Sequence, residues 1–227
     1  MSRLLIICLG LCFNVTSFAQ QQNPFLNDAN GRPLYWGSTY RQEGSPYFHN
    51  EYNWAEIVSS NGTFYKDVRI KYNVVEHKVQ YIGDDGVEML ANSGIRSIRF
   101  PLLVSEDGSR VNVKLVSNTG ILNEGEPIIY ELLDSGKISL LKKISITYRD
   151  DKKYGEAVIT RHYDRKETEF VKLANGEYKK LEKTRNFILE ITADKLKEID
   201  TYINANNIKC KSTKDFQLII SYYNSLQ

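Results

Sequence analysis

The side chains able to do chemistry are few and scattered. The chain has three histidines and three cysteines in 227 residues. His162-Tyr163-Asp164 is the best placed, because on a strand alternate residues share a face and would set imidazole beside carboxylate, as a metal ligand pair or an oriented base requires. Thr160 and Glu167 nearby are polar as well, so a solvated strand face accounts for the same residues. Glu167 and Glu169 form a second same-face pair, with the types but not the fixed separation that acid–base work demands. Cys210 sits between Lys209 and Lys211, which would favour a thiolate, yet no histidine is close in sequence; a small hydrophobe in a turn between helices explains it better. Asn27-Asp28-Ala29-Asn30-Gly31 and Gly83-Asp84-Asp85-Gly86 lack the later bidentate glutamate of a calcium loop and read as turns. No G-x-S-x-G, P-loop, G-x-G-x-x-G, H-E-x-x-H or C-x-x-C pattern is present. The expectation is no cofactor, no metal and no catalytic residue.

The elements that must position these residues begin after an export address. Arg3 precedes an apolar run from Leu4 to Phe13, and Ser17-Phe18-Ala19 has the small-x-small form that signal peptidase reads. The run is too short for the roughly 20 residues of a membrane span. Residues 1–19 are therefore expected to be a cleaved signal peptide, which would remove Cys8 and Cys12 and leave Cys210 with no partner for an internal disulfide. With 30 Lys+Arg against 28 Asp+Glu and lysine pairs dispersed among acids, there is no basic track for nucleic acid.

Residues 20–53 are poor in aliphatics and rich in Gly, Pro, Asn and aromatics, and are expected to form an extended arm. Its Tyr35, Trp36, Tyr40, Tyr47 and Phe48 have no periodicity to explain them. They either fasten the arm to the rest of the protein or form a contact patch, and they are the candidate binding residues.

From 54 to 192 the period is two. Val68, Ile70, Tyr72 and Val74 alternate with polar residues, as do Val111, Val113 and Leu115. Asn61-Gly62, Asp107-Gly108, Asp134-Ser135-Gly136 and Asn175-Gly176 supply tight turns. After the turn at Gly136 the apolar positions are 138, 140, 144, 146 and 148, with Lys142 as the exception. Tyr72, Tyr81, Tyr130 and Tyr148 fall on the core-facing phase. From 193 the period becomes 3.6: Leu196, Ile199 and Ile203 share one face after Thr192 as cap, and Ser212-Thr213-Lys214-Asp215 resembles a capping box before Phe216, Ile219, Ile220 and Tyr223. The fold class is mainly β: an antiparallel meander, as a curved sheet, sandwich or half-open barrel, with two short C-terminal α-helices packed on it.

Three blocks carry a family likeness: Trp54 through Asn73, Ile129 through Lys143, and the ending Ile219-Ile220-Ser221-Tyr222-Tyr223-Asn224-Ser225-Leu226. Together they resemble a group of exported proteins of Gram-negative bacteria of the Bacteroidota type. The resemblance implies export and β architecture and transfers no catalytic residue. The function expected is a non-catalytic cell-envelope module, in the periplasm, at the outer-membrane periphery or secreted, that contacts an envelope protein or glycan. A periplasmic carrier holding an apolar ligand between sheet and helices is the alternative. A hydrolase is the third, and requires His162 to meet a carboxylate of another strand in a cleft.

Overall fold

The computed structural model describes residues 40–105, 108–152, 154 and 158–226. Tyr35, Trp36 and residues 1–19, the expected signal peptide, lie outside the described residues. Among the described residues eleven strands form one mixed, mostly antiparallel sheet that does not close. They are β1 (Tyr40–Glu43), β2 (Asn53–Ser59), β3 (Phe64–Asn73), β4 (Lys78–Ile82), β5 (Glu88–Leu90), β6 (Ile95–Val104), β7 (Arg110–Ser117), β8 (Ile129–Asp134), β9 (Ser139–Asp151), β10 (Ile159–Lys172) and β11 (Tyr178–Lys180). Their spatial order is β1-β10-β9-β8-β7-β6-β2-β3-β4-β5, with β11 also on β10. The sheet is thus two meanders that grow in opposite directions from the β2–β6 pair, not one continuous meander. The expected hairpins at Gly136 and Gly176 form, with a bulge between Leu132 and Asp134 in the first.

Alternation predicts burial well. Val68, Ile70 and Tyr72 of β3 and Val113 and Leu115 of β7 are buried, while Arg69 and Lys114 are exposed. Tyr72, Tyr81 and Tyr130 are core residues; Tyr148 is not, being 49% exposed beyond the apolar part of the long β9–β10 ribbon.

The arm departs from its expected form. It contains β1, which pairs in parallel with β10, Glu43 opposite His162, and Tyr47 bridges Asn73 of β3. Four residues reach at most about 14 Å, whereas the six strand steps from β10 to β3 would span about 29 Å in a flat sheet. The sheet therefore curls on itself. The same curl explains why Ile144 and Ile146 of β9 share one apolar cluster with Ile70 of β3 and Ile98 of β6.

The helical tail also differs. Among the described residues three α-helices are present, not two: α1 (Arg185–Ile191), α2 (Leu196–Ala205) and α3 (Thr213–Ser225). α1 falls where a β region was expected up to 192, because seven residues are too few to separate a 3.6 period from a 2 period. Its cap is Thr184, whose side chain accepts from the Phe187 N–H; Thr192 instead closes α1 and leads into a 3-10 turn. Leu196 is 47% exposed, so only Ile199 and Ile203 of the expected α2 face are buried. The capping box at Ser212 and Asp215 forms, and Phe216, Ile219, Ile220 and Tyr223 are all buried. Cys210 lies buried between α2 and α3, in a second cluster with Ile138, Leu140 and Val171 of the sheet. Burial pushes its thiol pKa up, away from thiolate. Among the described residues no helix is long and apolar enough to cross a membrane.

Glu169 fastens α3 to β10. Its Oε1 accepts from the Thr213 hydroxyl at 2.9 Å and from Lys183 Nζ at 3.2 Å. Partial burial opposes ionisation, but these two donors outweigh it and hold the carboxyl below its ordinary pKa. The stabilisation is present above the unfolded-state value near pH 4.3 and is lost as pH falls through the lower folded value. In an acid titration of helix docking followed by near-ultraviolet circular dichroism, wild type is expected to show an acid-labile step that Glu169→Gln lacks; superimposable titrations would show that the ion pair contributes nothing.

Candidate functional site

One feature of the inner sheet face breaks the apolar rule. Just before and along β9, Ile138 and Leu140 belong to the helix-covered cluster and Ile144 and Ile146 to the sheet cluster. Lys142 lies between them, and a carboxylate reaches it from each neighbouring strand, one from its register partner on β8 and one diagonally from β10. Glu131 of β8 accepts from Lys142 Nζ at 2.9 Å, and Glu167 of β10 lies 3.6 Å away. Arg165 then grips Glu167 Oε1 through Nε and Nη2 at 2.9 and 2.7 Å. The row Glu131–Lys142–Glu167–Arg165 alternates in sign across three adjacent strands. Burial would lower the Lys142 pKa, but the Glu131 hydrogen bond and the two negative charges outweigh it and the pKa is raised.

Above this row is a groove of about 950 Å³. Its floor carries Lys142, Glu131 and Arg165; Leu103, Val111 and Val113 form an apolar side. The opposite wall is the segment from Gly44 to Asn50, which crosses from β10 to β3. Gly44 makes that crossing possible: its φ is +79°, and a Cβ there would stand 2.7 Å from the Tyr163 carbonyl oxygen. The wall is held by Phe48 N–H to the Tyr72 carbonyl at 2.9 Å, by Val74 N–H to the Pro46 carbonyl at 2.8 Å, and by Arg165 Nη1 to the Phe48 carbonyl at 2.8 Å. The Phe48 ring stacks on Phe100 at 5.8 Å and has the Arg165 guanidinium above it at 5.3 Å. At the mouth, His49 Nε2 is 3.2 Å from the Val104 carbonyl.

The candidate aromatics thus divide. Tyr47 and Phe48 are 9% and 8% exposed, so they are fasteners that also wall the groove rather than a free patch. Tyr47 accepts a hydrogen bond from Gln80 and has Lys71 Nζ over its ring at 4.1 Å. Tyr40 belongs to a stack beyond the groove, in which the Arg161 guanidinium lies 4.3 Å from the Tyr40 ring and 4.0 Å from the Tyr148 ring. Asp150 holds that guanidinium by two hydrogen bonds of 2.6 and 2.7 Å. Beside the stack, burial and the Tyr40 hydrogen bond push the Tyr163 hydroxyl up to about 12.

His162 meets a carboxylate of another strand, but not in the cleft. Its Nδ1 is 2.9 Å from Glu43 of β1. Tyr163, Arg165 and Glu167 line the groove, so strand alternation puts His162 on the opposite face. Asp164 shares the face of His162 without a contact between them, and Glu167 and Glu169 point to different partners rather than to each other. Among the described residues no three His, Cys, Asp or Glu side chains gather as metal ligands would.

Sequence reasoning reached the arm aromatics but missed Glu131, Lys142 and Arg165. The usable signal was Lys142 itself, a charge on the inward phase of an otherwise apolar strand, which must find partners if it is to be buried. The chain matches no protein-family model, no curated protein and no solved structure.

Proposed function

We propose that this protein is an exported cell-envelope binding module of a Gram-negative bacterium, and that the groove under the Gly44–Asn50 wall is where it contacts a protein or glycan. The observation that carries this is the groove floor: four charged side chains placed at the bottom of a groove with an apolar side, each already bound to a neighbour of opposite sign. Such a row has no strong net charge and no activated nucleophile to offer. It presents a fixed pattern of donors and acceptors, and fixed patterns of this kind confer orientation and specificity on a ligand. The curl that creates the groove fits a half-open barrel whose mouth the arm crosses. Residual apolar area on Leu103, Val111 and Val113 would receive the non-polar parts of the ligand.

The apolar-carrier alternative places its ligand between sheet and helices. There Leu140, Val171, Ile188, Ile199, Ile219 and Ile220 are all 0% exposed, which favours a filled core over a ligand chamber.

Val104 stands at the groove mouth and is 47% exposed, so Val104→Trp narrows the groove without touching the core. Full-length protein screened on a glycan array and a displayed-peptide library is expected to retain ligands that Val104→Trp binds at least tenfold more weakly. Ligands that all tolerate the substitution would remove the groove from the reading. Mass spectrometry of protein purified from envelopes should find a chain starting at Gln20; an intact Met1 would refute export.

A further inference from the structure

The edge of the sheet beside the groove has a gap one strand wide. β1 covers β10 from Ile159 to His162, and β11 covers it from Phe170 to Lys172. Between them, among the described residues, no strand pairs with Tyr163 to Thr168, and Asp164, Arg165, Lys166 and Glu167 are all exposed. The phase of the backbone is fixed on both sides. The Lys166 carbonyl faces β9, where it accepts from the Ser145 hydroxyl, and the Glu169 carbonyl faces the edge, where it accepts from the Leu181 N–H. Alternation then directs the N–H and C=O groups of Arg165 and Glu167 outward into the gap. Gly44 ends β1 where the gap begins and sends the chain across the sheet face instead of along the edge.

We infer that this gap receives a short extended peptide segment of a partner protein, added to β10 as a strand. The inference rests on the binding reading above and narrows its ligand from protein or glycan to polypeptide. From Tyr163 to Glu169 the gap is about 20 Å long at ~3.3 Å per residue, enough for four or five residues. Because β1 and β11 flank it, it is a recess, and the sheet edge of a second copy would be held off by the same two strands. A single extended segment enters where a sheet cannot.

The charges define the segment further. Arg165 and Glu167 are held down on the groove face by each other, by Lys142 and by the Phe48 carbonyl. Asp164 and Lys166 lie on the other face, where directly opposed residues of an added strand would meet them. An antiparallel segment therefore carries an acid opposite Lys166 and a base opposite Asp164. Between these two, an apolar residue opposite Arg165 faces the groove. Main-chain hydrogen bonds give the affinity and these three side chains the choice, as in strand-addition recognition generally.

The probe is the blocked pentapeptide Ac-Thr-Glu-Val-Lys-Thr-NH2, with the same peptide N-methylated at valine as its control, which keeps every side chain and loses the central donor. Amide hydrogen exchange is measured on the full chain, at peptide concentrations on the order of millimolar because so short a strand binds weakly. The expected result is at least fivefold slower exchange of the Arg165 and Glu167 amides, no change at Lys166, and no effect of the methylated peptide. Equal effects of the two peptides, or no slowing, overturn the inference. So does free protein in which the Arg165 and Glu167 amides already exchange as slowly as Lys166, since the edge is then covered. If Val104→Trp abolishes groove ligands while the edge amides ignore the peptide, the binding reading stands and strand addition falls.

Discussion

Replacing Gly136 with alanine should lower the stability of the protein by about 3 kcal/mol, because the added methyl group has nowhere to go. A Cβ at Gly136 would lie 2.3 Å from Cγ of Asn224, near the end of α3. An exposed flexible side chain would swing away at little cost, but Asn224 is locked. Its Oδ1 accepts from the Ile138 N–H at 3.1 Å, and its Nδ2 donates to the Ile138 carbonyl at 2.8 Å and to Asp134 at 3.1 Å. These bonds tie the C-terminal helix to the β8–β9 turn. Nearby, Lys137 and Tyr223 both reach Asp194 and reinforce the same joint. Denaturant unfolding of Gly136→Ala, Asn224→Ala and the double variant checks the mechanism. Each single change should be costly and the double should cost little more than Asn224→Ala alone, since the clash disappears with its target. Additive costs would show that Gly136 acts through something other than Asn224.

Replacing Lys142 with methionine should cost about 2–4 kcal/mol at neutral pH. Methionine keeps most of the stem but leaves Glu131 and Glu167 facing each other across the floor of the groove without the cation between them. Removing one member of a largely buried charge pair costs several kcal/mol, and a side chain still 25% exposed puts this case at the lower end. The wild-type contribution of Lys142 depends on pH at the alkaline end. The Lys142 pKa is raised on folding, so its contribution is complete below the unfolded value of about 10.4 and is lost as pH rises through the higher folded value. Urea unfolding of both proteins at neutral pH reads the deficit. The triple variant with Glu131→Gln and Glu167→Gln should recover most of the loss, and a triple variant as unstable as Lys142→Met would mean that Lys142 acts by packing alone.

The two experiments probe the two joints that make the groove: the helix-to-hairpin clasp at one end of the β8–β9–β10 ribbon, and the charge row in its middle. Both joints involve residues far apart in sequence, and that distance separates what could be read early from what could not.

Local physical rules act over a few residues, and wherever the fold depends on them the amino-acid order was sufficient. Alternation placed Val68, Ile70, Tyr72, Val113 and Leu115 in the core. Turn chemistry placed the hairpins at Gly136 and Gly176. The capping box set the start of α3 at Thr213. The misses are of another kind. β1 has the sequence Tyr-Arg-Gln-Glu, which carries no strand pattern, because it is made a strand by the β10 edge it lies against. Tyr148 has the right phase and the wrong address, since apolar cover ends before the ribbon does. The groove exists because the three residues between Glu43 and Tyr47 draw β10 toward β3, and a sheet of this length must curl to allow it. Lys142 was visible as an exception, but its partners sit 11 residues before it and 25 after it in the chain, and only strand order makes them neighbours. Which face each residue occupies is decided by a period of two; which residues share a face at one place is decided by closure of the whole sheet, and that is a property of no single segment.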